Sequence, residues 1–216
     1  RELLVLQSTG QPPELAPPPP KRHLFLSHNW DNQDAVATIK RQLQRLLPGV
    51  RIFLDVDDLE SVDALEAHVH DSAAVLILLG SERYFTSTNC LREVAAAKHK
   101  GRPLVRVHES DAQKKGASLA RLEAACPAEY RTYVFDGEVI PWHRLRDFQQ
   151  VSLARIAELV VAASAGAPDA GPVRELQVVG GLAWASLHFA SPVSVYASPH
   201  NPQVEGVVAT LQQHFP

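Results

Sequence analysis

The chain contains no methionine, has only two cysteines (Cys90 and Cys126), and has no purely apolar run longer than Ala73–Leu79. Each scarcity excludes something. Two cysteines in no CxxC or Cys/His spacing supply neither a disulfide framework nor a zinc site, so both are expected as small core residues and no metal is expected. The longest apolar run falls far below the ~18 residues that a membrane span requires, so the expected compartment is the cytoplasm, with no membrane partner. Charge of one sign is also missing. Lys and Arg number 21 against 24 Asp and Glu, the net charge is −3, and no basic stripe with interleaved aromatics occurs. Nucleic acid is therefore not an expected partner. The missing methionine, in a chain that begins at Arg1, implies a piece of a longer protein.

What is present is ordinary for a globular protein, at 45% hydrophobic and 21% charged residues over 216 positions. That length suits one α/β domain plus an extra piece. Proline is concentrated in Gln11–Pro20, where the missing N–H and fixed φ forbid helix and central strand, so residues 1–20 read as an extended linker. From Lys21 onward strands and helices alternate. The apolar spacing predicts strands at His23–Ser27, Arg51–Asp55, Ala74–Leu79, Leu104–Val107 and Arg131–Phe135. It predicts helices at Asp34–Leu47, Ala64–Asp71, Cys90–Lys100, Ser118–Ala125 and about Phe148–Ala163, the last with Val151, Ile156, Leu159 and Val160 inward. Such alternation implies an α/β fold, a five-stranded parallel sheet covered on both faces in the flavodoxin-like, doubly wound order 2-1-3-4-5.

Residues 164–173 read as a second linker, and residues 174–216 as the start of a truncated second repeat. Arg1-Glu2-Leu3 recurs as Arg174-Glu175-Leu176, Ser27-His28-Asn29 has a counterpart in Ser198-Pro199-His200-Asn201, and Ala35-Val36-Ala37-Thr38 one in Val207-Val208-Ala209-Thr210, at a near-constant offset. This tail is too short to fold as a domain by itself.

In a doubly wound sheet, ligands bind outside the carboxyl ends of the strands where the strand order reverses. Three segments converge there. Leu24-Phe25-Leu26-Ser27-His28 ends the first strand, with Asn29 and Trp30 just beyond. Phe53-Leu54-Asp55-Val56-Asp57-Asp58-Leu59-Glu60 leads from the second strand into an acidic loop. Tyr84-Phe85-Thr86-Ser87-Thr88-Asn89-Cys90-Leu91-Arg92-Glu93 follows the third strand and opens a helix. Apolar runs that stop at polar residues are what buried parallel strands look like where they meet loops.

In that order these segments resemble the TIR (Toll/interleukin receptor) domain family, most closely its plant and bacterial NAD-cleaving type, over residues 21–163. Ser87-Thr88-Asn89-Cys90-Leu91-Arg92-Glu93 is similar to the motif Ser-x-Trp-Cys-Leu-x-Glu, whose glutamate is catalytic in NAD-cleaving members. The resemblance therefore implies an NAD+ glycohydrolase that hydrolyses or cyclises NAD+ with release of nicotinamide, with Glu93 catalytic and no cofactor, NAD+ being the substrate. It implies that Ser27, His28, Asn29, Trp30, Leu59, Glu60 and Asn89 line the substrate pocket. It also implies signalling in innate immunity through other TIR domains, by self-association through the loop after the second strand. The alternative is a non-catalytic scaffold acting by that association alone. Two departures from the family pattern bear on the choice: Asn89 stands where the motif usually has tryptophan, and Val62 where the loop often carries glycine. A carboxylate is the residue type this chemistry needs, because breaking the ribosyl–nicotinamide bond develops positive charge on the sugar. Early in a helix, Glu93 is expected at the exposed surface, where replacement by alanine leaves the fold intact.

Two other patterns lead nowhere. Asp55, Asp57 and Asp58 resemble the magnesium-binding acids of receiver domains, but the remaining receiver positions hold Ser27-His28, Gly80 and Asp136. His68 and His70, two apart on a helix, point to different sides, unlike ligands four apart.

Overall fold

A computed structural model of the chain describes residues 4–6, 21–47, 49–54, 65–164 and 176–178 (backbone only at 4–6, 146 and 176–178), together with Ser198, His200, Val204 and Val208. The chain divides into two compact units, Arg1–Val179 and Gly180–Pro216. In the first unit the elements begin with β1 (Leu4–Leu6), β2 (Arg22–Ser27), α1 (Gln33–Leu46), β3 (Ile52–Leu54), α2 (Leu65–His70) and β4 (Ser72–Leu79). They continue with α3 (Thr88–His99), β5 (Leu104–His108), α4 (Leu119–Ala125), α5 (Ala128–Phe135), β6 (Val139–Pro141), α6 (Arg146–Ser164) and β7 (Leu176–Val178).

Five strands form a parallel sheet in the order β3-β2-β4-β5-β6, the 2-1-3-4-5 order that the alternation predicts. The central strand shows why its sequence reads as one unbroken apolar run. Ala74, Leu76 and Leu78 of β4 enter a core with α1 and α6, while Val75, Ile77 and Leu79 enter a second core with α2, α3 and α5. With period-2 alternation and two buried faces, both sets of positions from Ala73 to Leu79 are apolar, and the buried Ser72 at the strand's start donates to the His68 carbonyl. On α1, Val36, Ile39, Leu43 and Leu46 recur at helical spacing and are buried. The helix ends where the Leu47 amide bonds the Leu43 carbonyl, ahead of Gly49 at φ 81°.

Three features differ from the sequence reading. Arg131–Phe135 lies in helix α5, not in a strand, and the fifth strand is Val139–Pro141. The β-branched and aromatic run Thr132-Tyr133-Val134-Phe135 favours a strand by propensity, but tertiary contacts override it. Val134 is buried, the Tyr133 hydroxyl donates to the Arg102 carbonyl at 2.6 Å, and Arg106 donates to the carbonyls of Val134 (2.6 Å) and Tyr133 (2.9 Å). A cation on the last carbonyls is a favourable helix end. On α6 the inward set is Leu153, Ile156, Ala157 and Val160, whereas Val151 is exposed. Finally, β1 pairs antiparallel with β7, Leu4 opposite Val178 and Leu6 opposite Leu176. Residues 1–20, expected as a linker, thus contain a strand, and it pairs with one at the start of residues 174–216. Most of residues 164–173 and 174–216, and nearly all of residues 1–20, lie outside the described residues. No helix among the described residues is long and apolar enough to cross a membrane.

Candidate functional site

The strand order reverses between β2 and β4, so the nominated crevice lies beyond Ser27 and Leu79. Ser27 ends β2 and is fully buried. After β4 the chain makes a 3-10 turn, Glu82–Thr86, capped by Ser81: the Arg83 N–H donates to the Ser81 Oγ at 3.2 Å. This turn places the Tyr84 ring in the core, fully buried and edge-on to Phe85 at 5.1 Å between centroids. Ser87 then caps α3 by accepting from the Cys90 N–H.

On α3 the buried positions include Cys90, Glu93, Val94 and Ala97, a single helical stripe. Glu93 is therefore in the core, only 4% exposed, and not on the surface where an early-helix glutamate was expected. The Ser27 Oγ donates to the Glu93 Oε2, and the same Oγ is hydrogen-bonded to the Tyr84 hydroxyl. Burial, reinforced by the neighbouring Cys90 and Glu93, pushes the Tyr84 phenol well above its usual value, so it keeps its proton.

The other sequence-nominated residues are spread around this centre. His28 is buried, and its carbonyl accepts from the Cys90 Sγ at 3.3 Å, tying the end of β2 to α3. Asn29 caps the short turn Trp30–Asn32 through an Asp31 N–H bond of 3.1 Å. Trp30 is 68% exposed, its ring 6.5 Å from that of His28. Asn89 is exposed on α3. Leu59 and Glu60 lie outside the described residues, as does Val62. Both cysteines are buried and free, and burial pushes the Cys126 thiol up to about 11, as suits an inert core residue. Among the described residues no His, Cys, Asp and Glu group could hold a metal.

Sequence reasoning missed Tyr84 as a partner of Ser27 and Glu93. It also missed a polar brace over the same edge. The Asn32 Oδ1 accepts from the Ser81 N–H at 2.9 Å, and its Nδ2 donates to the Lys114 carbonyl at 2.8 Å. Asp31 accepts from the Ser81 hydroxyl (3.0 Å) and from the Lys115 Nζ (2.6 Å), and the lysine holds its carboxyl below the usual range. Arg144 bridges the fully buried Glu109 and Asp34, at 2.6 Å and 2.8 Å. Burial raises the Asp34 carboxyl, but Arg144, the Ala35 N–H and Lys114 together outweigh it and the net shift is downward. No residue-type signal marks these partners, because they come from four separate loops. A fork of two bonds, from Arg92 Nε (2.6 Å) and Nη2 (2.9 Å) to Glu66, joins α3 to α2. An open depression lined by Lys21, Arg22, Gln44, Val50, Arg51 and Ile52 lies at the amino ends of β2 and β3, the opposite edge of the sheet from Glu93.

The model of the TIR domain family matches residues 24–132, half of the chain, which takes in β2 through most of α5 and every buried residue just described around Glu93. The chain belongs to the TIR domain family. Among solved structures, this TIR domain is similar to that of the Toll-related receptor TRR-2 from Hydra magnipapillata, at 10% identity and a TM-score of 0.46 over 65% of this chain and 98% of that one. It is also similar to the TIR domains of the activated Roq1 resistosome, described as directly recognising the pathogen effector XopQ, at 19% identity and a TM-score of 0.36 over 63% of this chain and 83% of that one. No curated protein matches.

Proposed function

We propose that this TIR domain is a signalling module that cleaves NAD+ at the bond between ribose and nicotinamide, with Glu93 as the catalytic carboxylate. The observation that carries the reading is the place of Glu93: buried at the switch-point edge of the sheet, with Oε2 held by the Ser27 hydroxyl. In the reaction the glycosidic bonding pair leaves with the nicotinamide nitrogen, which loses its pyridinium charge, and positive charge develops on the ribosyl carbon. Water adds there and gives up a proton, yielding ADP-ribose. A carboxylate withdrawn from bulk water stabilises that developing charge far more than an exposed one does. Ser27 keeps the carboxylate from turning, so little reorganisation is left for the reacting step.

The test is nicotinamide release by concentrated protein, compared with Glu93→Gln, which keeps the shape and a carbonyl acceptor for Ser27. Wild type is expected to consume NAD+ and the variant to lose at least about a hundredfold, the size of one preorganised electrostatic group. Equal rates in the two proteins would end the catalytic assignment.

The exposed Trp30 indole favours a second reading, a scaffold that associates with other TIR domains without chemistry, since a large aromatic at 68% exposure suits a contact surface. Under that reading Trp30→Ala weakens self-association in sedimentation, and no NAD+ is consumed at any concentration.

A further inference from the structure

We propose that Tyr84 is a positioning residue for Glu93, acting through Ser27 as the far end of a directed hydrogen-bond chain. Counting protons sets the direction. A serine hydroxyl has one proton and two lone pairs, and an ionised carboxylate only accepts. The Ser27 Oγ donates its one proton to the Glu93 Oε2, so in its second bond it accepts, and the Tyr84 phenol is the donor. The phenol is fit for this, being fully buried among Phe85, Cys90 and Cys126 and protonated throughout the working range.

The three links come from three different elements: the end of β2, the 3-10 turn after β4, and the buried stripe of α3. Without the phenol, the Ser27 hydroxyl is free to rotate to another acceptor. With it, one rotamer is selected, and each bond in the chain polarises the next. A phenylalanine would fill the same space in this apolar cluster without the cost of burying a hydroxyl. The hydroxyl therefore marks a role beyond packing.

The experiment uses the full chain with Tyr84→Phe, Ser27→Ala and both together. The first arm follows the Glu93 carboxyl by 13C NMR across pH, its signal assigned by loss in Glu93→Gln. Hydrogen bonds donated to an ionised carboxylate favour that form. Glu93 is therefore expected to take up its proton at higher pH in Tyr84→Phe than in wild type. In the Ser27→Ala background, Tyr84→Phe is expected to make no further difference. An identical titration in wild type and Tyr84→Phe overturns the proposal.

The second arm rests on the NAD+ reading above. It expects kcat in Tyr84→Phe to fall about tenfold, the size of one net hydrogen bond. KM is expected to stay within about twofold, since the lost contact does not touch substrate. The acid limb of the rate profile is expected to move to higher pH, whereas an unchanged kcat and profile would overturn the proposal. If wild type releases no nicotinamide while the titration still moves, the chain stands and the NAD+ reading falls. Should Tyr84→Phe fail to fold, the 13Cζ resonance of Tyr84 in the unaltered protein replaces it. That resonance is expected to respond to Glu93 protonation in wild type and to lose the response in Ser27→Ala, and indifference in wild type overturns the proposal.

Discussion

Glu93 and Gly80 show how much a single position at this edge depends on its neighbours. On sequence, Glu93→Ala looks harmless, because alanine is the best helix former. With the side chain only 4% exposed and accepting from Ser27, the same change leaves a buried hydroxyl without its acceptor. We expect Glu93→Ala to destabilise the domain by about 1–3 kcal/mol in urea unfolding, and Glu93→Gln by clearly less. Loss of activity in the alanine variant would thus mix chemistry with folding, so the glutamine variant is the cleaner probe. At Gly80 a β-carbon would lie 2.4 Å from the Asn32 Oδ1. Asn32 cannot swing aside without giving up its bonds to Ser81 and Lys114. Gly80→Ala is therefore expected to cost about 1–3 kcal/mol, the range for overpacking a core. A melting temperature equal to wild type would show that the Asn32 brace yields freely.

At the scale of elements, α2 and α3 are joined by the Arg92–Glu66 fork, and Arg92 directly precedes Glu93. The Arg92 hydrogen bond holds the Glu66 carboxyl below its usual 4.5. A carboxylate with a depressed folded-state value adds stability that is fully present above the unfolded value and lost as pH falls through the folded one. We expect stability to decline below about pH 4.5 partly through this pair, and Arg92→Leu to remove that part of the decline. Both side chains are about a third exposed (33% and 38%), so solvent screening keeps the loss at neutral pH within about 1 kcal/mol. Chemical denaturation from pH 3 to 7 reads both effects, and identical slopes in variant and wild type would show the fork to be energetically idle. The element that sequence misread, α5, shows the limit of propensity. Its strand-like run is held in a helix by Arg106 on its last carbonyls, and nothing within 128–135 announces a partner from β5.

For the whole molecule, the resemblance implies that a working TIR site forms between neighbouring copies. Specific NAD+ cleavage is then expected to rise with protein concentration, because the assembled state is populated by mass action. A dilution series with specific activity flat down to monomer would count against assembly as a requirement. The α/β class, the five-strand order and the edge bearing Ser27 and Glu93 were all readable from apolar runs that stop at polar residues. The fifth strand was not, because Val139–Pro141 is three residues at a sheet edge with only Ile140 buried, too short to carry a pattern.

By itself the sequence determined the sheet, since period-2 and period-3.6 apolar spacing are local properties that hydrophobic burial turns into elements and layers. It also located the switch-point crevice, because strand order alone does so. Only the tertiary structure decided that Glu93 faces inward, that Tyr84 meets Ser27, and that Asn32, Arg144 and Glu109 brace the loops above. Those are contacts between residues many positions apart, made by hydrogen bonds whose partners no local pattern specifies. A buried polar atom must find a partner wherever the fold brings one, and the chain supplies that partner only once it is packed.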